Sequence, residues 1–321
     1  MTRLHVVGAA GYAAGEVIRF AANHPRLKLG ALESESAAGR LLGEVFPALR
    51  RIERTFDAPG AVERSLQAGD AVIFGAANGV ALSRAPRMLE RGAKVIDLSS
   101  DFRHDPLAVY GAPERHRGEI AGAKLVANPG CYPTAALLAL TPLSLWADSI
   151  TQLIVDAKSG VSGAGRMPKT SSLFCEVDGE VVSYGLEGHR HVPEMMTELR
   201  GCGITAPLLF TPHVVPLKRG MLVNAYAVFD RAPAEEEILE AYHAAYEREP
   251  FVHLVTAAPR LGSVLGTNDA EIHVTVAGNT VRAICAIDNL GKGAATQALQ
   301  SLNIMFGYPE EEGLDARALI A

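Results

Sequence analysis

Leu4-His5-Val6-Val7-Gly8-Ala9-Ala10-Gly11-Tyr12-Ala13-Ala14-Gly15 stands near the start of the chain, and its reading decides the fold. Leu4 to Val7 is a short apolar run of the kind a buried strand shows. Glycines follow at 8, 11 and 15, and then a helical pattern from Glu16 to Asn23. Strand, glycine turn and helix in that order is the setting in which such a turn cradles a pyrophosphate. The missing side chains admit the backbone, and the helix N-terminus supplies N–H donors. The spacing, G-x-x-G-x-x-x-G, departs from the usual dinucleotide fingerprint, so by itself it reads nearly as well as a structural turn.

Outward from that stretch, strand patterns recur at Leu27 to Leu32, Ala71 to Gly75, Lys94 to Leu98 and Leu125 to Ala127. Helical patterns lie between them, notably Gly79 to Arg91. The alternation predicts an α/β domain with a parallel, doubly wound sheet. Ligands of such sheets sit at the carboxyl ends of the strands. Three marked loops fall there: Gly8 to Gly15, Asp97 to Arg103, and Asn128 to Thr134. Asp97 and Asp101 read evenly as functional acids or as turn and cap residues. The second strand ends at Glu33, where an acid would hold the ribose hydroxyls of NAD and repel a 2′-phosphate, although Glu33 and Glu35 read equally as solvated loop charges. Ser34, Ser36 and Arg40 close behind suit that phosphate, and on these residues the choice of NAD or NADP is open.

Asn128-Pro129-Gly130-Cys131-Tyr132-Pro133-Thr134 follows an apolar strand pattern and leads into an apolar helical run, Thr134 to Leu145. Cys131 is therefore expected at or just before a helix N-terminus. Unpaired N–H groups and the positive end of the helix dipole favour a thiolate there. A thiolate is a strong nucleophile, and its thioester accepts hydride. A lone cysteine in a turn is more often a small buried residue, but the neighbouring patterns weigh the other way.

In the second half, Gln152 to Asp156 reads as a strand that ends in Lys158 to Arg166, where small residues beside two cations read equally as an anion-binding loop or as a flexible surface loop. His189-Arg190-His191-Val192-Pro193-Glu194 opens a helix that runs to about Leu199. Two histidines beside an arginine suit acid–base work and anion binding. No further histidine or cysteine completes a metal-ligand set, so no metal is expected. Antiparallel strands are predicted at Pro207 to Thr211, Met221 to Phe229, Glu271 to Val276 and Val281 to Ala286, the last two joined by a hairpin-like turn. A helix is expected over Ala234 to Arg248, and Thr211 to Gly220 brings Lys218 and Arg219 to a loop. Asp288 to Gly293 precedes a last helix, Ala294 to Phe306, expected to return to the first domain. The predicted division is 1–130, with 290–321 packing back on it, and 131–289.

The chain has 321 residues, with 36 acidic and 30 basic side chains and a net charge of −6. The lack of a basic run argues against nucleic acid as a partner. No apolar run is long enough to span a bilayer, and the start enters a strand directly, so neither a membrane span nor a signal peptide is expected. Four cysteines without a C-x-x-C pair or metal-ligand spacing point to a reducing cytoplasm.

Together these blocks resemble the N-acetyl-gamma-glutamyl-phosphate reductase family, the arginine-biosynthesis relatives of aspartate-semialdehyde dehydrogenase. The similarity runs nearly end to end. Besides the stretches quoted, it includes Asp97-Leu98-Ser99-Ser100-Asp101-Phe102-Arg103, Tyr110-Gly111-Ala112-Pro113-Glu114, Tyr184 and Asp288-Asn289-Leu290-Gly291-Lys292-Gly293. The resemblance implies a Rossmann-type domain plus an α+β domain with a mainly antiparallel sheet, as in glyceraldehyde-3-phosphate dehydrogenase-like folds. It also implies a homodimer or homotetramer. The implied reaction is NADPH-dependent reduction of a small-molecule acyl phosphate to an aldehyde through a Cys131 thioester. His191 would be the acid–base with Glu194 orienting it, and His189 is the second candidate. Ser159, Arg166, Arg190, Arg219 and Tyr184 would contact substrate. Gly8, Gly11, Tyr12, Ala13, Ser34, Ser36, Arg40, Gly163, Asn289 and Lys292 would contact the cofactor, NADP with NAD not excluded.

Three departures from the family pattern stand out. Glu33 and Glu35 occupy the loop where many relatives carry Ser and Arg, and Ala77-Asn78-Gly79 replaces a common Pro-His-Gly. Gly291 replaces an apolar residue, which is expected to loosen the loop before the last helix. The rival readings are the same chemistry on an amino-protected aminoadipyl phosphate, a non-catalytic nicotinamide-binding sensor, and a thiol switch at Cys131. One methylene is worth only about 1–3 kcal/mol in a pocket, so the first rival differs by few residues.

Overall fold

The structure is a computed structural model that describes residues 1–318. The chain divides into two compact units, Met1–Gly130 with Ala294–Ala316, and Cys131–Gly293 with Arg317 and Ala318.

The first unit is built on six strands: β1 (Thr2–Val7), β2 (Leu27–Glu33), β3 (Ala71–Phe74), β4 (Lys94–Asp97), β5 (Val109–Tyr110) and β6 (Leu125–Ala127). Their order is β2-β1-β3-β4-β6-β5, and every neighbouring pair is parallel. All four residues of β3 are buried, which is why its sequence is unbroken Ala-Val-Ile-Phe rather than alternating. The helices are α1 (Tyr12–Ala21), the single turns α2 (Leu42–Val45) and α3 (Ala61–Ser65), α4 (Val80–Glu90), α5 (Pro113–Gly122) and the C-terminal α11 (Thr296–Phe306). Ala81, Ala85 and Met88 form the buried stripe of α4 and join Val72, Phe74 and Val95 in one core. The strand order reverses beside β1, so the switch point lies between β1 and β3.

Helix α1 starts at Tyr12, four residues earlier than the pattern predicted. Ala13 and Ala14 are strong helix formers and carry the helix back toward Gly11. Gly15 is thus a helix residue rather than part of the turn. A Cβ there would lie 2.8 Å from the Phe46 ring, so this glycine serves packing.

The second unit opens with α6 (Cys131–Leu140) and a 3₁₀ stretch, Thr141–Ser149. It continues with β7 (Ile150–Gly160), α7 (Phe174–Val177), β8 (Val182–Ser183), α8 (His191–Gly201), β9 (Leu208–Val215) and β10 (Met221–Phe229). It closes with α9 (Glu235–Tyr246), β11 (Val252–Leu254), α10 (Leu261–Val264), β12 (Ala270–Ala277) and β13 (Thr280–Ile287). The sheet order is β11-β12-β13-β10-β7-β9-β8. Pairs β7–β9 and β11–β12 are parallel and the other four are antiparallel. Along β10, Met221, Val223, Ala225, Ala227 and Phe229 are buried and the alternate residues are not, so one face is covered. Helix α6 lies on that face against β10 and β13, with α8 beside it. Its end is held by α9: the Tyr242 hydroxyl donates to the Ala139 carbonyl and that of Tyr246 to Leu138 at 2.6 Å, which satisfies carbonyls a helix terminus leaves open.

Strands β7 and β9 run further than their sequence patterns, because they pair continuously from Leu153 with Leu208 to Gly160 with Val215. Lys158, Ser159 and His213 are therefore strand residues rather than loop residues. Among the described residues no helix is long and apolar enough to cross a membrane.

Candidate active site

The first unit presents a seat for a dinucleotide at its switch point. Gly8 has φ +77°, and a Cβ on it would come within 2.7 Å of the Ala76 backbone. Only glycine lets β1 turn there beside the end of β3. Gly11 occupies the N-cap of α1 and offers no side chain to the first N–H groups of the helix. An uncapped helix start behind a glycine turn fits an anionic pyrophosphate. Tyr12 is exposed and Ala13 half-buried at that helix start.

Glu33, left open in the sequence, has partners within the protein. Its carboxylate is buried in the fork of Arg84, at 2.6 and 2.9 Å, and accepts from the backbone N–H groups of Gly60 at 3.0 Å and Val62 at 3.3 Å. Arg84 also forks onto Glu63, with both bonds at 2.6 Å. Burial opposes the charge on Arg84, but the two carboxylates hold its pKa above the ordinary value. Ser34 is buried, and its Oγ accepts from the Ala37 N–H at 3.2 Å. Ser36 and Arg40 are exposed, with the Arg40 guanidinium 3.7 Å from Glu44. The other two acids of these loops have structural partners. Asp97 accepts from the Ser99 N–H and hydroxyl, and Asp101 accepts from the Gly79 and Leu82 N–H groups at the start of α4. Burial raises the Asp97 pKa, while the two Ser99 bonds pull it down.

In the second unit Cys131 is the first residue of α6 and is half-buried. Around the next residue stands an aromatic cage. The Tyr132 ring meets His189, His191 and Phe210 edge-on, with centroids 6.0, 5.9 and 5.3 Å apart. The Tyr132 hydroxyl donates to the His213 carbonyl at 3.1 Å and accepts from the Tyr184 hydroxyl at 3.1 Å. Burial, then Tyr184, raises the Tyr132 pKa, and the Cys131 charge pushes both phenols the same way, so the thiol is within electrostatic reach of each.

Helix α8 brings its own groups to the cage. The backbone N–H of His191 donates to Nδ1 of His189 at 3.1 Å, and the two rings lie 4.8 Å apart. Burial, then Arg190, lowers the His189 pKa. His191 and Glu194 are both buried and stand one turn apart on one face of the helix. Arg190, just before the helix, is exposed, as is Arg166 on the preceding loop.

The remaining candidates form an inner layer. Arg219 forks onto the fully buried Asp288, with bonds of 3.0 and 2.7 Å. Ser159 is buried and donates to the Gly160 carbonyl, and a Cβ on Gly163 would lie 2.9 Å from its Oγ. Asn289 accepts from the Gly220 N–H at 2.7 Å and donates to Ser162 at 3.0 Å. Lys292 is wholly buried, its ammonium 5.8 Å from the Phe251 ring centroid. Tyr132, Phe210 and His213 had not been singled out. Tyr132 could have been, from its place beside Cys131, whereas Phe210 and His213 reach the cage only through the parallel pairing of β7 with β9. All four cysteines are thiols. Among the described residues no group of three or more His, Cys, Asp or Glu side chains is placed to hold a metal.

Solved structures share this architecture. An aspartate semialdehyde dehydrogenase II from Vibrio cholerae, complexed with ASA, superposes with a TM-score of 0.75 at 20% identity, covering 96% of this chain and 98% of the other. An aspartate semialdehyde dehydrogenase with NADP from Candida albicans gives 0.72 at 14% identity, covering 96% and 99%. Residues 3–123 match the family model for the semialdehyde dehydrogenase NAD binding domain, and residues 131–289 that for the semialdehyde dehydrogenase dimerisation domain. The two family models together match more than half of the chain and place it in the semialdehyde dehydrogenase class of oxidoreductases.

The curated relatives narrow that class. N-acetyl-gamma-glutamyl-phosphate reductases from Halorhodospira halophila, Dehalococcoides mccartyi and Neisseria gonorrhoeae are 43%, 41% and 40% identical. The alignments cover 100%, 98% and 98% of this chain and 100%, 98% and 97% of theirs. The chain belongs to the N-acetyl-gamma-glutamyl-phosphate reductase family.

Proposed function

We propose that the protein reduces N-acetyl-glutamyl 5-phosphate to N-acetyl-glutamate 5-semialdehyde and phosphate in arginine biosynthesis, with NADPH as the donor. The observation that carries this reading is Cys131 as the first residue of α6, next to Tyr132, whose ring packs edge-on against His189 and His191 with Tyr184 beside it. Full-length relatives of that name support the substrate. The Cys131 thiolate attacks the acyl carbon, the C–S bond forms, and phosphate leaves with the electron pair of the broken C–O bond. N–H groups at the start of α6 stabilise the oxyanion. A nicotinamide cofactor, when bound, supplies the hydride that reduces the thioester carbonyl. His191, oriented by Glu194, protonates the developing alkoxide and takes the proton back as the C–S bond breaks and the thiolate leaves. His189 serves as a neutral hydrogen-bond donor. Arg190 and Arg166 attract the anionic groups of the substrate with Tyr184 beside them, and Arg219 holds the wall behind Ser159.

The seat for the cofactor is the uncapped start of α1 with Gly8, Gly11, Tyr12 and Ala13. NADP is favoured over NAD because Arg84 takes up the charge of Glu33 and leaves Ser34, Ser36 and Arg40 to meet a 2′-phosphate. The second unit is the surface through which a homodimer or homotetramer would form, consistent with its match to a dimerisation domain. The protein is assigned to the cytoplasm.

The test is an assay in the oxidative direction with N-acetyl-glutamate semialdehyde, phosphate and either NADP or NAD. Phosphate-dependent reduction of NADP is expected. Turnover with NAD alone would overturn the cofactor assignment, and activity only on the aminoadipate homologue would overturn the substrate.

A further inference from the structure

The last loop of the second unit touches the nucleophile. An ideal Cβ on Gly293 would lie 2.8 Å from the Cβ of Cys131 and 3.4 Å from its Cα. Carbon atoms of side chains do not approach that closely, so the loop is seated against Cys131 because residue 293 has no side chain.

The seat is rigidly built. The Gly293 N–H donates to the Asp288 carbonyl at 2.9 Å. The Asp288 side chain, fully buried, takes the Arg219 fork and accepts from the N–H groups of Gly266 at 2.5 Å, Leu290 at 2.9 Å and Gly291 at 3.2 Å. Asn289 ties the same loop to Gly220 and Ser162. Gly291 does not loosen it: a Cβ there would collide with the Thr267 carbonyl, so glycine is what lets the loop close on its neighbour. A buried carboxylate with this many donors resists movement, since any shift strands a charge away from water.

We infer that Asp288–Gly293 is a brace that positions Cys131, with Gly293 as the point of contact and Asp288 as the anchor. Gly293 is a positioning residue, acting through the placement of the Cys131 Sγ, and the inference rests on the reading of Cys131 as the nucleophile. A displacement of about 1 Å at a reacting atom costs on the order of 100-fold in rate.

The experiment compares wild type with Gly293→Ala. Alkylation of Cys131 by iodoacetamide is followed by peptide mass spectrometry across pH, with the exposed Cys175 as an internal reference. The Gly293→Ala variant is expected to alkylate at Cys131 at least about tenfold differently, with a displaced pH midpoint and an unchanged Cys175 rate. Its kcat should fall about 100-fold while KM moves little. Stability is then measured for the same change in a Cys131→Gly background. Removing the Cys131 side chain should abolish most of the destabilisation that Gly293→Ala causes, or restore folding if the single variant does not fold. Wild-type alkylation at Cys131 in Gly293→Ala, or an equal loss of stability in both backgrounds, overturns the brace. Wild-type enzyme that keeps its turnover after Cys131 is alkylated would instead sink the nucleophile itself.

Discussion

The backbone N–H of His191 donates to Nδ1 of His189 across 3.1 Å. That bond fixes the tautomer, because an acceptor Nδ1 leaves the proton of a neutral ring on Nε2. Protonating His189 would break the bond and set two N–H groups against each other. Burial and Arg190 already lower its pKa. Both effects favour the neutral ring of His189, and the proposed mechanism accordingly gives the proton exchange to His191.

The two histidines should separate in a pH profile. In the reductive direction the acid must carry its proton, so kcat/KM falls as pH rises past its pKa. His191→Gln should lose that alkaline limb and about 100- to 10,000-fold in kcat/KM. His189→Gln, which keeps an N–H donor, should lose much less and retain the limb. A limb that disappears with His189 instead would exchange the two roles.

The Arg84–Glu33 pair makes a second prediction. Removing Arg84 leaves a buried carboxylate without its cation, which destabilises by about 3 kcal/mol. The uncompensated charge would also repel a 2′-phosphate. Arg84→Met should therefore lower the urea midpoint and raise KM for NADP more than KM for NAD. Equal effects on the two cofactors would show that Glu33 does not face the adenosine end.

These relationships also mark what the sequence could disclose. The parallel sheet was legible because the strands of the first unit are continuous apolar runs, and β3 is buried along its whole length. Cys131 at a helix start was legible because strand, turn and helix are consecutive. The partner of Glu33 was not legible, because Arg84 lies 51 positions away and only the β2–β1–β3 order brings their elements together. The strand character of Lys158 and His213 was hidden because the parallel pairing of β7 with β9 overrides the polar local pattern. Gly291 looked like a weakness because its reason, the Thr267 carbonyl, lies on another loop.

Asp101, open in the sequence between an acid of the site and a cap, accepts from the Gly79 N–H at 2.9 and 2.7 Å. It thereby serves donors at the start of α4, where Gly79 itself has no side chain to offer. Asp101→Ala should cost about 1 kcal/mol in urea unfolding. Turnover by the surviving folded fraction should be nearly unchanged. A loss of kcat without a loss of stability would return Asp101 to the chemistry.

His5 predicts how the fold responds to acid. Its ring is 1% exposed, with Nδ1 accepting from the Ala31 N–H at 3.0 Å and Nε2 donating to Asp70 at 3.1 Å. Burial lowers its pKa from 6.5; Asp70 and Asp57 oppose that shift, and Arg3 adds to it. The folded state therefore binds fewer protons than the unfolded chain just below pH 6.5. The stability linked to His5 is fully present above that pH and is lost as pH falls through the folded value. His24, buried against Asn303 with Glu312 and Arg26 nearby, is shifted in the same direction and should add to the slope. Asp70 is lowered as well, but its window lies below the ordinary carboxylate value of 3.8, clear of the histidines. Melting temperature measured from pH 8 to pH 5 should be flat at first and then decline below about pH 6.5, while the unfolding free energy falls with a limiting slope near 1.4 kcal/mol per pH unit for each proton taken up. His5→Gln should be less stable at pH 7.5 and should show a shallower decline, the remainder belonging to His24 and His189, with His253, whose pKa Asp269 raises, acting in the opposite direction. A melting temperature that rises on acidification, or a His5→Gln slope as steep as wild type, would show that the buried ring is not what couples this fold to pH.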